Sequence, residues 1–206
     1  WNIGALIAGL GIGGLAFALA AKDMLANLFG SVTIFADRPF TLGDRIKVAG
    51  KDGMVEEVGF RSTRIRTLDG HQVTIPNALL MNEAVENVGR RPSIKRVVEI
   101  TVTYDTPPEK VRRAKEILEE ILGARGEFYP EDLQPRVYFH NFNSASLGIV
   151  MYAWFTPPDW WGYCQFWNDV NLEILERFNA EGIEFAFPTQ TLYHKQDAPL
   201  GVTVTS

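Results

Sequence analysis

An α + β membrane protein is the fold class this sequence predicts, on three observations. Ile3 to Ala21 are nineteen consecutive uncharged residues, eleven of them Gly or Ala. Between Phe40 and Val88, short β-type runs alternate with turn residues. From Arg90 onward, strand and helix patterns follow one another in the order β-α-β-β-α-β.

At about 1.5 Å per residue, the first stretch makes a helix of roughly 28 Å, close to the hydrocarbon thickness of a bilayer. Gly4, Ala8, Gly9, Gly11, Gly13, Gly14, Ala16, Ala18 and Ala20 leave little side chain to face lipid, so the helix wants close protein neighbours. Gly9 and Gly13 form a G-x-x-x-G pair. Gly14 with Ala18 and Ala16 with Ala20 repeat the spacing that lets helix backbones approach. Leu15 and Leu19 share one face at i, i+4, which Lys22 continues. Small flanks and one Leu stripe suit a ring of identical helices around an axis.

The same residues carry a rival pattern. Gly9-Leu10-Gly11-Ile12-Gly13-Gly14 is a literal G-x-G-x-x-G before an Ala/Leu-rich helix, and Ser31 to Asp37 reads as a second strand ending in an acid. That is the pattern of a dinucleotide-binding oxidoreductase, the alternative function. Against it stand a long Gly14 to Asp37 interval, a weak strand before Gly9 and the lack of further βα units.

Lys22 to Ile34 predicts an amphipathic helical continuation with Met24, Leu25, Leu28, Phe29 and Val32 on its apolar face, and a bend at Gly30-Ser31. Asp37-Arg38-Pro39 ends it, because proline disfavours helix at the preceding residue. Strands are expected at Arg45 to Val48, Met54 to Val58, Ser62 to Arg66 and Gln72 to Ile75. Gly43-Asp44, Lys51-Asp52-Gly53 and Asp69-Gly70 supply turns, giving a small β-barrel or curled sheet. In the last module Val98, Ile100, Val102 and Tyr104 alternate as a half-buried strand. Glu109 to Leu122 has helical spacing, Arg136 to Phe142 and Leu147 to Phe155 are strands with the second central, and Tyr163 to Glu181 is a helix stopped by Gly182. In that helix Phe166, Val170, Ile174, Leu175 and Phe178 point inward. A last strand at Ile183 to Phe187 completes a ferredoxin-like order. Gly201 to Thr205 is a candidate C-terminal strand, able to pair with its copies in a ring.

The domain layout is therefore 1–36, spanning helix and continuation; 37–90, β domain; 91–190, α/β domain; and 191–206, tail. The 206 residues carry a net charge of −5 and 46% hydrophobic residues, which excludes disorder and gives no support to nucleic-acid binding. The chain starts at Trp1 and not Met, so a longer parent with earlier transmembrane helices is expected. The single Cys164 excludes an internal disulfide framework. His71, His140 and His194 are scattered, so no metal, cofactor or enzyme chemistry is expected.

Arg38-Pro39-Phe40, Gly43-Asp44, Gly53 with Val55 and Val58, Arg61-Ser62-Thr63, Ile65-Arg66-Thr67, Asp69-Gly70, Val73 and Ile75-Pro76-Asn77 together resemble the small-conductance mechanosensitive channel family. Phe60 and Asn82 fit as well. The resemblance runs from about Gly9 to about Pro188 and is most specific from Arg38 to Asn77.

It implies a homo-heptamer in which the first helix is the last transmembrane segment and lines the pore. A Sm-like β domain and an α/β domain follow, enclosing a cytoplasmic vestibule. Such a channel opens under membrane tension and passes ions and small solutes after hypo-osmotic shock. The membrane would be the cell (inner) membrane, with an organellar one as the alternative. The family's two constriction positions fall on Leu15 and Leu19, the pair already picked out by spacing, and two rings of Leu make a narrow apolar throat. Lys22-Asp23 replaces the Gln-Gly of the best-known members, which puts a Lys22 ring at the pore exit and leaves the bend to Gly30 or the Gly9 to Gly14 run. Arg38, where the chain leaves the membrane, is placed to contact lipid phosphates. Arg61, Arg64, Arg66, Arg90, Arg91, Lys95 and Arg96 are expected to pair with acids between subunits or to line the vestibule. Trp154, Phe155, Trp160, Trp161, Tyr163, Phe166 and Trp167 are assigned to core or subunit contact.

Overall fold

The computed structural model describes residues 3–188. The chain divides into two compact units, Trp1–Arg91 and Pro92–Ser206. The candidate strand at Gly201 to Thr205, the rest of the 191–206 tail and His194 lie outside the described residues.

In the first unit the two predicted helical pieces are one continuous helix, α1, Ile3–Asp37. No strand precedes Gly9 among the described residues, the six-residue glycine pattern lies wholly inside α1, and Ser31 to Asp37 is helical. A dinucleotide site needs those glycines in a turn between strand and helix, with their N–H groups free for a pyrophosphate. Here they sit within a helix, and the oxidoreductase reading fails. The predicted stop after Asp37 holds, and Arg38 leaves the helix at φ 48.

The β strands are β1 (Arg45–Val48), β2 (Lys51–Val58), β3 (Ser62–Thr67), β4 (Gln72–Pro76) and β5 (Glu86–Asn87), with a short helix α2 (Asn77–Asn82) before β5. They form one antiparallel sheet in the order β4-β3-β2-β1-β5. Alternate residues turn inward as the strand period requires, and Ile46, Val48, Val55, Ile65 and Ile75 make a core closed by Phe40, by Leu80 of α2 and by Ile34 of α1. The first hairpin differs from the expectation. Its turn is Ala49-Gly50, with φ 49 and 71, and Lys51-Asp52-Gly53 belongs to β2. Positive φ at both central positions matches the right-handed strand twist, although Ala is a poor advertisement for it. Gly53 is needed for a different reason: a Cβ there would lie 2.5 Å from the Arg66 carbonyl oxygen on β3.

The second unit has β6 (Ile94–Val102), α3 (Pro108–Gly123), β7 (Arg136–Phe142), β8 (Leu147–Phe155) and α4 (Trp160–Ala180). The sheet order is β6-β8-β7, so β8 is central as its apolar run predicts. The expected last strand shrinks to one antiparallel bridge, Val102 to Phe185, flanked by hydrogen bonds from the Thr103 N–H to the Glu184 carbonyl and from the Ala186 N–H to the Thr101 carbonyl. It lies on the β6 edge, where a ferredoxin-like order puts it. Helix α4 begins three residues before the expected start, because the Asp159 carboxylate accepts the Gly162 N–H and caps the new first turn. Trp167 is buried with Phe166, Val170, Ile174 and Phe178, whereas Leu175 is exposed. Gly182, at φ 62, ends the helix. Phe128, Phe155, Phe166 and Tyr163 pack ring to ring in this core, so that part of the aromatic run is core; Trp161 is 77% exposed.

Candidate functional site

Leu15 and Leu19 are 70% and 74% exposed within one chain, and a Cβ added at Gly9, Gly11, Gly13 or Gly14 would meet nothing within 4 Å. Ala16, Ala18 and Ala20 are exposed too, as is Lys22. Among the described residues this part of α1 is exposed throughout, so its environment has to come from lipid or from other helices. Of the described helices, α1 alone is long and apolar enough to cross a membrane.

Twelve residues past Leu15 the situation reverses. The Asn27 Oδ1 accepts the Ala78 N–H at 3.0 Å. Helix α2 starts at Pro76 without a side-chain cap of its own, so Asn27 of α1 satisfies an orphan donor that a local Ser or Asp would normally take. Gly30 lies against the same turn: a Cβ would stand 2.8 Å from the Asn77 carbonyl carbon and 2.9 Å from its oxygen. Ser31 and Ile34 are buried beside it. Asn27, Gly30, Ser31 and Ile34 fall at i, i+3, i+4 and i+7, one helical face.

Met24, Leu25, Leu28, Phe29 and Val32, the expected apolar face, are all exposed, and the face turned to the chain's own body is that of Asn27, Gly30, Ser31 and Ile34. An apolar stripe exposed on one chain is a surface free for a partner outside it. The small-polar stripe at helical spacing was the signal to read. Gly30 is also a packing glycine within a continuous helix.

The seat itself is held by hydrogen bonds of a buried side chain. Asn77 is fully buried; its Oδ1 accepts the Thr63 hydroxyl at 2.9 Å and its Nδ2 donates to the Gly59 carbonyl at 2.8 Å. Its backbone N–H donates to the Arg61 carbonyl. The motif Ile75-Pro76-Asn77 therefore ties β4, β3 and the Gly59 turn to the surface on which α1 rests.

The exit from α1 is braced by a second group. Asp44 accepts the Thr41 N–H at 2.9 Å and the Asn87 Nδ2 at 2.8 Å, with the Arg90 Nε at 3.2 Å. Burial pushes its carboxyl up, but the hydrogen bonds from Asn87 and Thr41 and the Arg90 charge outweigh that and hold it below the ordinary carboxylate range. The Arg90 Nη1 also donates to the Arg38 carbonyl at 3.1 Å. So Arg38 is held through its backbone, while its side chain is exposed at the rim of a groove of ≈ 400 Å³ lined by Ile34, Phe35, Phe40, Leu42 and Val58.

Three of the seven residues in the basic concentration pair with acids of their own chain. Arg64 meets Glu57, Arg66 meets Glu56 and Arg90 meets Asp44. Arg96 lies over the Trp167 ring at 4.4 Å and Lys95 over Trp154 at 5.6 Å, so these two stack on indole and do not face acids.

Two family models match the chain: "Mechanosensitive ion channel, beta-domain" over residues 23–90 and "Mechanosensitive ion channel MscS, C-terminal" over residues 97–185. The small-conductance mechanosensitive channel MscMJ of Methanocaldococcus jannaschii is 44% identical over 96% of this chain and 55% of its own length. The low conductance mechanosensitive channel YnaI of Escherichia coli is 35% identical over 92% and 55%. The chain thus spans about half the length of these relatives. Among solved structures, Helicobacter pylori MscS in a closed state superposes with a TM-score of 0.76 at 24% identity, covering 96% of this chain and 76% of that one. Arabidopsis thaliana MSL1 gives 0.81 at 21%, covering 89% and 66%. Both share the fold found here. With both family models matched and these relatives aligned over nearly its whole length, this chain belongs to the MscS-like mechanosensitive channel family.

Proposed function

We propose that the parent protein is an ion channel opened by membrane tension, releasing ions and small solutes on hypo-osmotic shock. The observation that carries it is the division of α1: a spanning part with no neighbour in its own chain, continuous with a part fixed to the β domain. In this reading residues 1–36 cross and leave the membrane, 37–90 form the Sm-like domain, 91–190 the α/β domain and 191–206 a tail with a barrel strand. The chain assembles as a homo-heptamer in the cell membrane, with the soluble body in the cytoplasm. Leu15 and Leu19 line the pore as two apolar rings that exclude water when closed. Gly9, Gly13, Gly14, Ala16, Ala18 and Ala20 form the surface on which neighbouring helices slide. Tension favours whichever state occupies more area in the membrane plane, so opening is a population shift and needs no ligand. The Lys22 ring favours anions at the exit. Arg38, at the rim of an apolar groove beside the helix end, meets a lipid phosphate, a contact the groove supports.

Patch-clamp recording of the parent protein under graded suction tests this. Steep tension-dependent unitary currents are expected, with Leu19→Ser opening at lower tension and Lys22→Glu moving the reversal potential toward cation preference. Silence from inserted, ring-shaped protein would remove tension as the signal, and an unchanged reversal potential would remove the role of Lys22.

A further inference from the structure

The second unit carries two unpartnered surfaces of opposite form. One is a groove of ≈ 370 Å³ between α3 and β7, walled by Val111, Phe139, Phe142 and Leu147, with Arg112 and Lys115 among the residues that line it. Phe139 and Phe142 meet edge to face at 5.0 Å, yet Phe142 is 76% exposed. Lys115 is engaged by Glu119, whereas among the described residues no acid pairs with Arg112. The groove is therefore apolar with one uncommitted cation.

The other surface is a ridge on α4 made by Trp161, Leu172 and Leu175, all large, apolar and exposed. Trp161, Leu172 and Leu175 are eleven and three residues apart and share a face. Glu176 stands next to it, and among the described residues no base pairs with Glu176. The ridge is therefore apolar with one uncommitted anion.

Their placement decides what they can pair with. Helix α3 packs against both β7 and α4. The flank of α4 turned toward α3 is marked by ion pairs from Glu173 to Arg125, Arg177 to Glu120 and Glu181 to Arg113. Leu175 is two residues from both Glu173 and Arg177, about 200° around a helix of 3.6 residues per turn. So the ridge points away from α3, on the side opposite the groove. A chain cannot close this contact on itself, and two copies facing each other would bring unlike surfaces together only by an offset. Complementary patches on opposite flanks instead fit a head-to-tail contact, the heterologous kind that closes into rings.

We infer that the α4 ridge of one copy seats in the α3/β7 groove of the next, with Glu176 against Arg112 and the Trp161-Leu172-Leu175 ridge against Phe139 and Phe142. The contact rests on the homo-oligomer reading and adds to it the surfaces used. Exposed aromatic and apolar clusters of this kind mark interaction sites, and buried aromatics carry most of the binding energy in such contacts.

The experiment uses the detergent-solubilised parent protein with Cys164→Ser, comparing Arg112→Cys, Glu176→Cys and the two together, each treated with a short bis-maleimide. All three positions are at least partly exposed, so the fold is kept. The native mass is measured first. The double variant should give a covalent ladder running past the dimer, at least about tenfold above either single variant. An oligomer of unchanged mass without that ladder, or single variants that link into dimers as well as the double one does, would overturn the contact while leaving the oligomer standing. A monomeric native mass would overturn the oligomer reading and the contact with it.

Discussion

The two ends of α1 are built on opposite rules although they are one helix. Leu10 to Ala20 is apolar, rich in small residues and exposed; lower down, Asn27, Gly30, Ser31 and Ile34 are turned onto the β domain while Leu28, Phe29 and Val32 are left out. A glycine means different things at the two ends. At Gly13 the missing side chain leaves open space, room for another helix to enter. At Gly30 it is filled by the backbone of Asn77. The difference teaches that small residues in a membrane helix cannot be assigned to one role from composition, because only the partner determines whether the space is needed now or later.

Substitutions can break that comparison. Gly30→Ala forces a Cβ against backbone that has no rotamer to yield, and should destabilise the first unit by about 3 kcal/mol, the upper range for overpacking. Gly13→Ala, with nothing within 4 Å in its own chain, should not lower the unfolding temperature of the first unit, the helix gaining up to about 1 kcal/mol of propensity. If the two melt alike, the two ends are not different. Asn77→Ala leaves the Thr63 hydroxyl and the Gly59 carbonyl unpaired in a buried site, and about 2 kcal/mol should be lost in denaturant unfolding. Asn27→Ala removes the cap on the Ala78 N–H together with the exposed Nδ2 bond to the Asp23 carbonyl. About 1 kcal/mol is expected, with faster amide exchange at α2 as the specific readout.

The smallest effect comes from pH. The Asp44 carboxyl is held below its ordinary 3.8, so the folded chain binds this proton less readily than the unfolded one. Its stabilisation is therefore complete above about pH 4 and lost as the pH falls through the folded-state value. Asp44→Asn should flatten the acid limb of the unfolding curve below pH 4; an unaltered limb would show that the brace at the helix exit does not depend on this charge.

Much of the architecture was legible because it is written in local periods. Arg45 to Val48, Arg136 to Phe142 and Leu147 to Phe155 appear at the limits their alternation sets, and β8 is central because it is apolar on both faces. What the sequence hid depends on partners distant in the chain. Nothing near Pro76 announces that its helix is capped from Asn27, and nothing near Gly53 announces the Arg66 carbonyl beside it. The Ala49-Gly50 turn was missed because Lys51-Asp52-Gly53 has the commoner turn chemistry and sits one step away. Leu15 and Leu19, the proposed throat, share a face by spacing alone, yet the face of α1 that seats on the β domain is not announced, since Ile34 is the one hydrophobic residue among Asn27, Gly30, Ser31 and Ile34.

The continuous α1 has a mechanical consequence. A helix clamped at one end and unsupported at the other is a cantilever, and Leu15 lies about 18 Å beyond Asn27 at 1.5 Å per residue. A tilt of about 10° in the clamp carries a point at that distance about 3 Å sideways, with no hydrogen bond in the helix itself having to break. The stiffness of the clamp, set by Gly30 against Asn77, then fixes how much of any force on the free arm is returned to the β domain as torque.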